Sequence, residues 1–106
     1  MVLEHIEIKK VSPFVLRELV RVINVFATSL TTPTNTNKFK FDLAKQLYLY
    51  FNKKVNKQHV PTKQKLKLKV FEAIFLLEII TTVAEQEQKP GTLFTIVDTI
   101  NQQLQQ

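Results

Sequence analysis

The chain of 106 residues predicts an all-α fold, a small four-helix bundle with a central, mostly buried third helix and a short N-terminal arm. Three observations carry that expectation. Glycine occurs once and proline four times, which argues against the turn-rich texture of a sandwich or barrel. Several segments repeat their apolar residues at helical spacing. One of them, KQKLKLKVFEAIFLLEII, runs into an apolar block too long for a strand. A chain of this length is expected to form a single domain, 1–106.

The N-terminal residues 1–11 alternate loosely, with Ile6 and Ile8 on one side and His5 and Glu7 on the other, and read as a short strand or an extended arm. Ser12-Pro13 then has the order of an N-cap followed by proline at the first helical position. Helix one follows to about residue 30, with Leu16, Leu19, Val20, Ile23, Phe26, Ala27 and Leu30 on one face. Residues 28–37, TSLTTPTNTN, are rich in threonine and asparagine around Pro33 and read as an inter-helix loop.

Helix two, about 39–56, turns Phe41, Leu43, Ala44, Leu47, Tyr48, Tyr50, Phe51 and Val55 inward. Leu49 falls among its outward lysines, as a single exposed leucine can. Pro61 ends this region and Thr62 is placed to cap the next helix. Helix three is expected over about 63–87, with the alternating lysines forming its charged beginning, although they oppose the helix dipole. One stripe of it carries Leu66, Val70, Ile74, Leu77 and Ile80, and a second, roughly opposite, carries Leu68, Phe71, Phe75 and Ile79. Glu72 and Glu78 interrupt the apolar block, so it falls short of the ~20 residues that a membrane span needs. Pro90-Gly91 marks a turn before a last helix with Leu93, Ile96, Val97, Ile100 and Leu104 in register.

Charge is regional. Residues 38–69 hold ten lysines and one acid, Asp42, a net of +9, and the remainder sums to −3, giving the overall +6. The absence of cysteine excludes a disulfide framework and a thiolate zinc site. MVLEHIEIKK has neither a basic n-region nor a continuous apolar h-region, so no secretory signal is expected and a cytoplasmic location is the default.

Little in the sequence points to chemistry. His5 and His59 form no metal-ligand spacing. Ser12 and Ser29 read as a cap and a loop residue, and a nucleophilic triad would need a placed base and acid besides. Glu72 and Glu78 point to different sides of a helix and make no acid/base pair. No enzyme, cofactor or metal is therefore expected.

Three functional classes follow. The first is a protein-interaction or assembly module that self-associates or binds a protein partner through Leu68, Phe71, Phe75 and Ile79, with Leu49 as a further contact. The alternative is nucleic-acid binding through Lys38, Lys40, Lys45, Lys53, Lys54, Lys57, Lys63, Lys65 and Lys67, interleaved with Phe39, Phe41, Tyr48 and Tyr50. Most of those rings fall at core spacing, which speaks against stacking on bases. An amphipathic helix on an anionic membrane surface is the third class.

Overall fold

The structure, a computed structural model, describes residues 4–30, 35–56, 64–87 and 93–105. The order of elements is β1 (His5–Val11), α1 (Pro13–Ser29), α2 (Asn35–Val55), β2 (Gln64–Lys69), α3 (Val70–Glu87) and α4 (Phe94–Leu104). The four expected helices are present among the described residues. The all-α expectation is corrected by a two-stranded antiparallel sheet of β1 and β2.

The N-terminal arm is one of those strands, and the Lys/Leu alternation, expected to open helix three, is the other. The physical reason is periodicity. In a helix Leu66 and Leu68 would lie ~200° apart, whereas a strand puts residues i and i+2 on one face. Leu66 and Leu68 are both buried opposite Ile8 and Ile6, in the pairs Ile8↔Leu66 and Ile6↔Leu68. The lysines between them go to the other face. Each fully buried side chain of this size contributes roughly 1.5–3 kcal/mol, which outweighs any helical propensity of the segment.

A bulge adjusts the phase of β1. Between Ile8↔Leu66 and Val11↔Gln64 the first strand advances three residues while the second advances two. Lys10 takes up the extra residue at φ 60°, a left-handed conformation unusual for a residue with a Cβ. The step returns Val11 to the core, where a strict alternation would have turned it outward.

Helix starts are set by local hydrogen bonds. Ser12 Oγ accepts from the Val15 N–H at 3.2 Å, and Pro13 opens α1 as expected. For α3, the Lys69 N–H donates to Glu72 Oε1 at 2.9 Å, the arrangement of a capping box in which the third helical residue reaches back to the cap. Starting at Val70 leaves the lysines outside the helix and Glu72 in its first turn, in agreement with the helix dipole. The loop foreseen at 28–37 is shorter than expected: Thr28 and Ser29 belong to α1 and Asn35–Val55 to α2. Pro33, His59, Pro61, Thr62 and Pro90-Gly91 lie outside the described residues.

The core joins both sheet strands to all four helices. α1 packs against α2 and α3, and α4 against α3 and β1. Phe26 meets Phe75 edge to face at 5.7 Å, and Arg21 bridges to Glu87 at 2.8 Å, so α1 and α3 run antiparallel. Lys40 reaches Glu78 at 3.0 Å while Tyr50, farther along α2, touches Lys67 on β2, so α2 runs antiparallel to the β2–α3 unit.

Side chains occupy both outer edges of the sheet at one rung. On the β1 edge, the Gln103 carboxamide accepts from the Glu7 N–H at 3.0 Å and donates to the Glu7 carbonyl. On the β2 edge, the Tyr50 hydroxyl accepts from the Lys67 N–H and donates to its carbonyl, both at 3.2 Å. Glu7 and Lys67 are paired residues whose backbone groups face away from each other, the non-hydrogen-bonded kind of pair. The two plugs satisfy groups that would otherwise be free to template another strand.

Leu68→Ala should destabilise the protein by about 2–4 kcal/mol in urea unfolding, whereas Lys67→Ala should stay within about 0.5 kcal/mol. Equal effects would contradict the pleat. Tyr50→Phe keeps the ring and removes the plug; it should cost about 0.5–1.5 kcal/mol and speed hydrogen exchange at the Lys67 amide. Unchanged exchange at that amide would show that the hydroxyl does not hold the strand.

Candidate interaction surfaces

The apolar face expected on helix three is taken apart by the strand. Leu68 lies on β2 and is buried, and Phe75 and Ile79 are also in the core. Among the four residues of that face only Phe71 is exposed, at 54%. Helix three begins at Val70, and its buried arc is Ala73, Phe75, Leu76, Ile79, Ile80 and Val83. The physical reason is that α3 packs against α1, α4 and the sheet, which cover this arc from several sides.

The opposite arc of α3 is the exposed one. Phe71, Ile74, Glu78, Thr81 and Glu85 are all exposed, and they follow one another in steps of three, four, three and four residues. That spacing draws a narrow stripe along one side of the helix. Ile74, expected inward, is 51% exposed on it. The stripe begins beside Lys69, whose ammonium lies 5.9 Å from the centre of the Phe71 ring, and ends in the acid Glu85. Midway, Glu78 is paired with Lys40 of α2.

Leu49 is not part of this stripe. It is exposed on the outward side of α2 with Lys45 and Lys53 one turn away on either side. Phe41, expected to turn inward, is half exposed on the same helix, and Phe39 is exposed as well.

Of the nine lysines expected as nucleic-acid contacts, the seven among the described residues are divided between α2 and β2. Lys38, Lys45 and Lys53 are exposed on α2, Lys40 is engaged by Glu78, and the Lys54 ammonium sits 5.5 Å from the Tyr50 ring centre. Lys57 and Lys63 lie outside the described residues. Lys65 and Lys67 are exposed on β2, where Lys69 joins them on the same face by the two-residue period. Across the sheet, β1 presents His5, Glu7 and Lys9 on that face, with Lys10 exposed at the bulge. Lys65 reaches Glu7 at 3.3 Å. Sequence reasoning leaves Lys9, Lys10 and Lys69 out of the candidate set. The alternation of IEIKK and QKLKLK is the signal that could have included them. Beside this face, His5, Glu7 and Lys9 line a shallow open depression with Thr99 and Gln103 of α4.

Several carboxylates are committed to structure. Glu72 caps α3, Glu78 pairs with Lys40, and Glu18 and Glu87 hold Arg21, whose guanidinium is pushed above its ordinary value by the hydrogen bonds to Glu87 and then Glu18. Among the described residues no three His, Cys, Asp or Glu side chains stand where they could hold a metal ion. No described helix is long and apolar enough to cross a membrane. No protein-family model matches the chain, and neither a curated protein nor a solved structure matches it.

Proposed function

We propose that this chain is a non-enzymatic, cytoplasmic assembly module that pairs with a second copy of itself through the exposed stripe of α3. The observation that carries this reading is the stripe itself: Phe71, Ile74, Glu78, Thr81 and Glu85, all outward and at the spacing of a helix–helix seam. Phe71 and Ile74 are about half exposed, so covering them would add roughly half of the ~1.5–3 kcal/mol that full burial of such a side chain contributes, and a covering surface is favoured.

Charge along the stripe argues for a second copy as the cover. The end near Phe71 is basic through Lys69, and the far end is acidic through Glu85. A two-fold axis near the middle turns one helix antiparallel to the other. The register that sets Phe71 opposite Thr81 also sets Ile74 opposite Glu78 and brings Lys69 of each copy within one turn of Glu85 of its mate. Isologous pairing of this kind is the commonest way for a soluble chain to bury a single patch. A random acidic partner would match the basic end alone.

Sedimentation equilibrium of the full chain should give a dimer. Phe71→Ser with Ile74→Ser should give a folded monomer whose unfolding midpoint no longer depends on protein concentration, whereas that of the dimeric wild type should rise with it. Glu85→Lys should weaken the dimer, and adding Lys69→Glu should restore it. A wild type that stays monomeric at its highest soluble concentration would overturn the proposal, as would a double charge swap that fails to recover what the single swap loses.

A further inference from the structure

The sheet separates its side chains by chemistry more completely than a solvated surface requires. The inner face is Ile6, Ile8, Leu66 and Leu68. The outer face carries Lys9, Lys65, Lys67 and Lys69, together with His5 and Glu7, and Lys10 stands beside it at the bulge. Glu7 is the one acid within the two strands, and its carboxylate is taken by Lys65. From this arrangement we propose that the outer face of the ribbon binds duplex nucleic acid through its phosphate backbone, without sequence preference.

Several features of the face favour that ligand. Lysines at 65, 67 and 69 emerge about 7 Å apart, two strand residues at a time, as a regular row of point charges. Tyr50 holds the backbone of Lys67 and Gln103 that of its cross-strand partner Glu7, so the ribbon is anchored at the middle rung of the row. Lysine meets phosphate as a point charge and lacks the fork with which arginine reads guanine, so contacts to the backbone are the expected mode.

The same face is unsuited to two neighbouring ligand classes. The two strands themselves carry no Phe, Tyr or Trp on which a run of unpaired bases could stack, and the one exposed ring against the row, Phe71 beside Lys69, stands at its end. Nor do the strands carry an outward apolar side chain to sink below the headgroups of a membrane; Phe71, beside Lys69, is the nearest exposed one and belongs to α3. The face shares Lys69 with the basic end of the α3 stripe; Lys65 and Lys67 lie on the strand alone, so Lys67→Gln, which leaves Lys69 in place, separates duplex binding from dimer formation.

The test compares two triple variants with the same change in net charge. One replaces Lys65, Lys67 and Lys69 with Gln; the other replaces Lys38, Lys45 and Lys53 with Gln on the outward side of α2. The probe is a fluorescein-labelled duplex of mixed sequence, read by anisotropy over a range of salt concentrations, with phosphatidylserine vesicles as the competing anionic surface. Wild type should bind the duplex with an affinity that falls steeply with salt. The ribbon triple should weaken binding more than ~10-fold at moderate salt and flatten the slope by about 0.9 for each phosphate that is no longer neutralised, while the α2 triple should change it by less than ~3-fold. Should the ribbon triple unfold, Lys67→Gln alone decides, with an expected decrease of about 0.9 in slope. No duplex binding by the wild type at low salt overturns the proposal. Equal weakening by the two triples also overturns it, since total charge and not the ribbon would then be responsible. So does vesicle binding that the ribbon triple abolishes while duplex binding stays intact.

Discussion

The pleat of one six-residue strand is the constraint on which the rest of the structure depends. β2 alternates lysine with leucine, and pairing with β1 sends Leu66 and Leu68 inward against Ile8 and Ile6. A one-residue slip in register would bury three lysines and expose two leucines, so the alternation fixes register as firmly as any long-range contact here. Consequences follow in both directions along the chain. The bulge at Lys10 is needed because the next inward residue on β1 is Val11, one position out of phase. Beyond β2, the bond from the Lys69 N–H to Glu72 starts α3 at once, with no intervening loop. The strand therefore sets the rotation of α3, and with it which of its apolar residues reach the core.

A two-stranded sheet alone is marginal, and here it survives by being covered and plugged. Its inner face rests in the helical core. Its edges are closed at the same rung by Gln103 from the last helix and Tyr50 from the second. Both plugs come from elements remote in sequence, so they form only once the helices have docked. The ribbon is thus stabilised by the fold it helps to organise, a mutual dependence that favours a cooperative unit. Longer-range ion pairs are secondary. Arg21 with Glu87 and Lys40 with Glu78 join neighbouring helices at the surface, where such pairs contribute ~0–1 kcal/mol.

Much of the helical scaffold is legible in the sequence. Ser12-Pro13 marks the start of α1, and Leu16, Leu19, Ile23 and Phe26, expected inward, are buried. Ala44, Leu47 and Phe51 on α2, and Ile96 and Ile100 on α4, are legible for the same reason, a clear helical period. The second strand is not, because residues 64–69 adjoin an apolar helix without glycine or proline between them. A boundary with no breaker is invisible to rules that look for breakers. The residues nevertheless carry the conflict: three lysines at a helix N-terminus oppose its dipole, and two leucines at i and i+2 cannot share a helical face. Moving the helix start to Val70 removes both conflicts. It also explains the misassigned candidate surface, since Leu68, Phe75 and Ile79 look surplus only while β1 has no partner.

Once the strand is in place, the surplus of apolar surface shrinks and changes position. A third helix apolar on two opposite sides would require a cover as long as the helix. With β1, β2, α1 and α4 packed on it, its buried arc is complete, and what remains outside is Phe71 and Ile74 at one end of a stripe that is otherwise polar. In the proposed self-pairing such an end would give a contact specific in orientation and modest in area, because charges on either side would penalise a wrong register while only two large side chains supply the drive. The lysines undergo the opposite change. In the sequence they are spread over residues 38–69 and look diffuse; in the fold α2 and β2 divide those among the described residues, and the share on β2 is joined by Lys9 and Lys10 from the far end of the chain. Antiparallel pairing thus creates a charge cluster that no window along the sequence contains, and it does so with the same alternation that builds the core beneath.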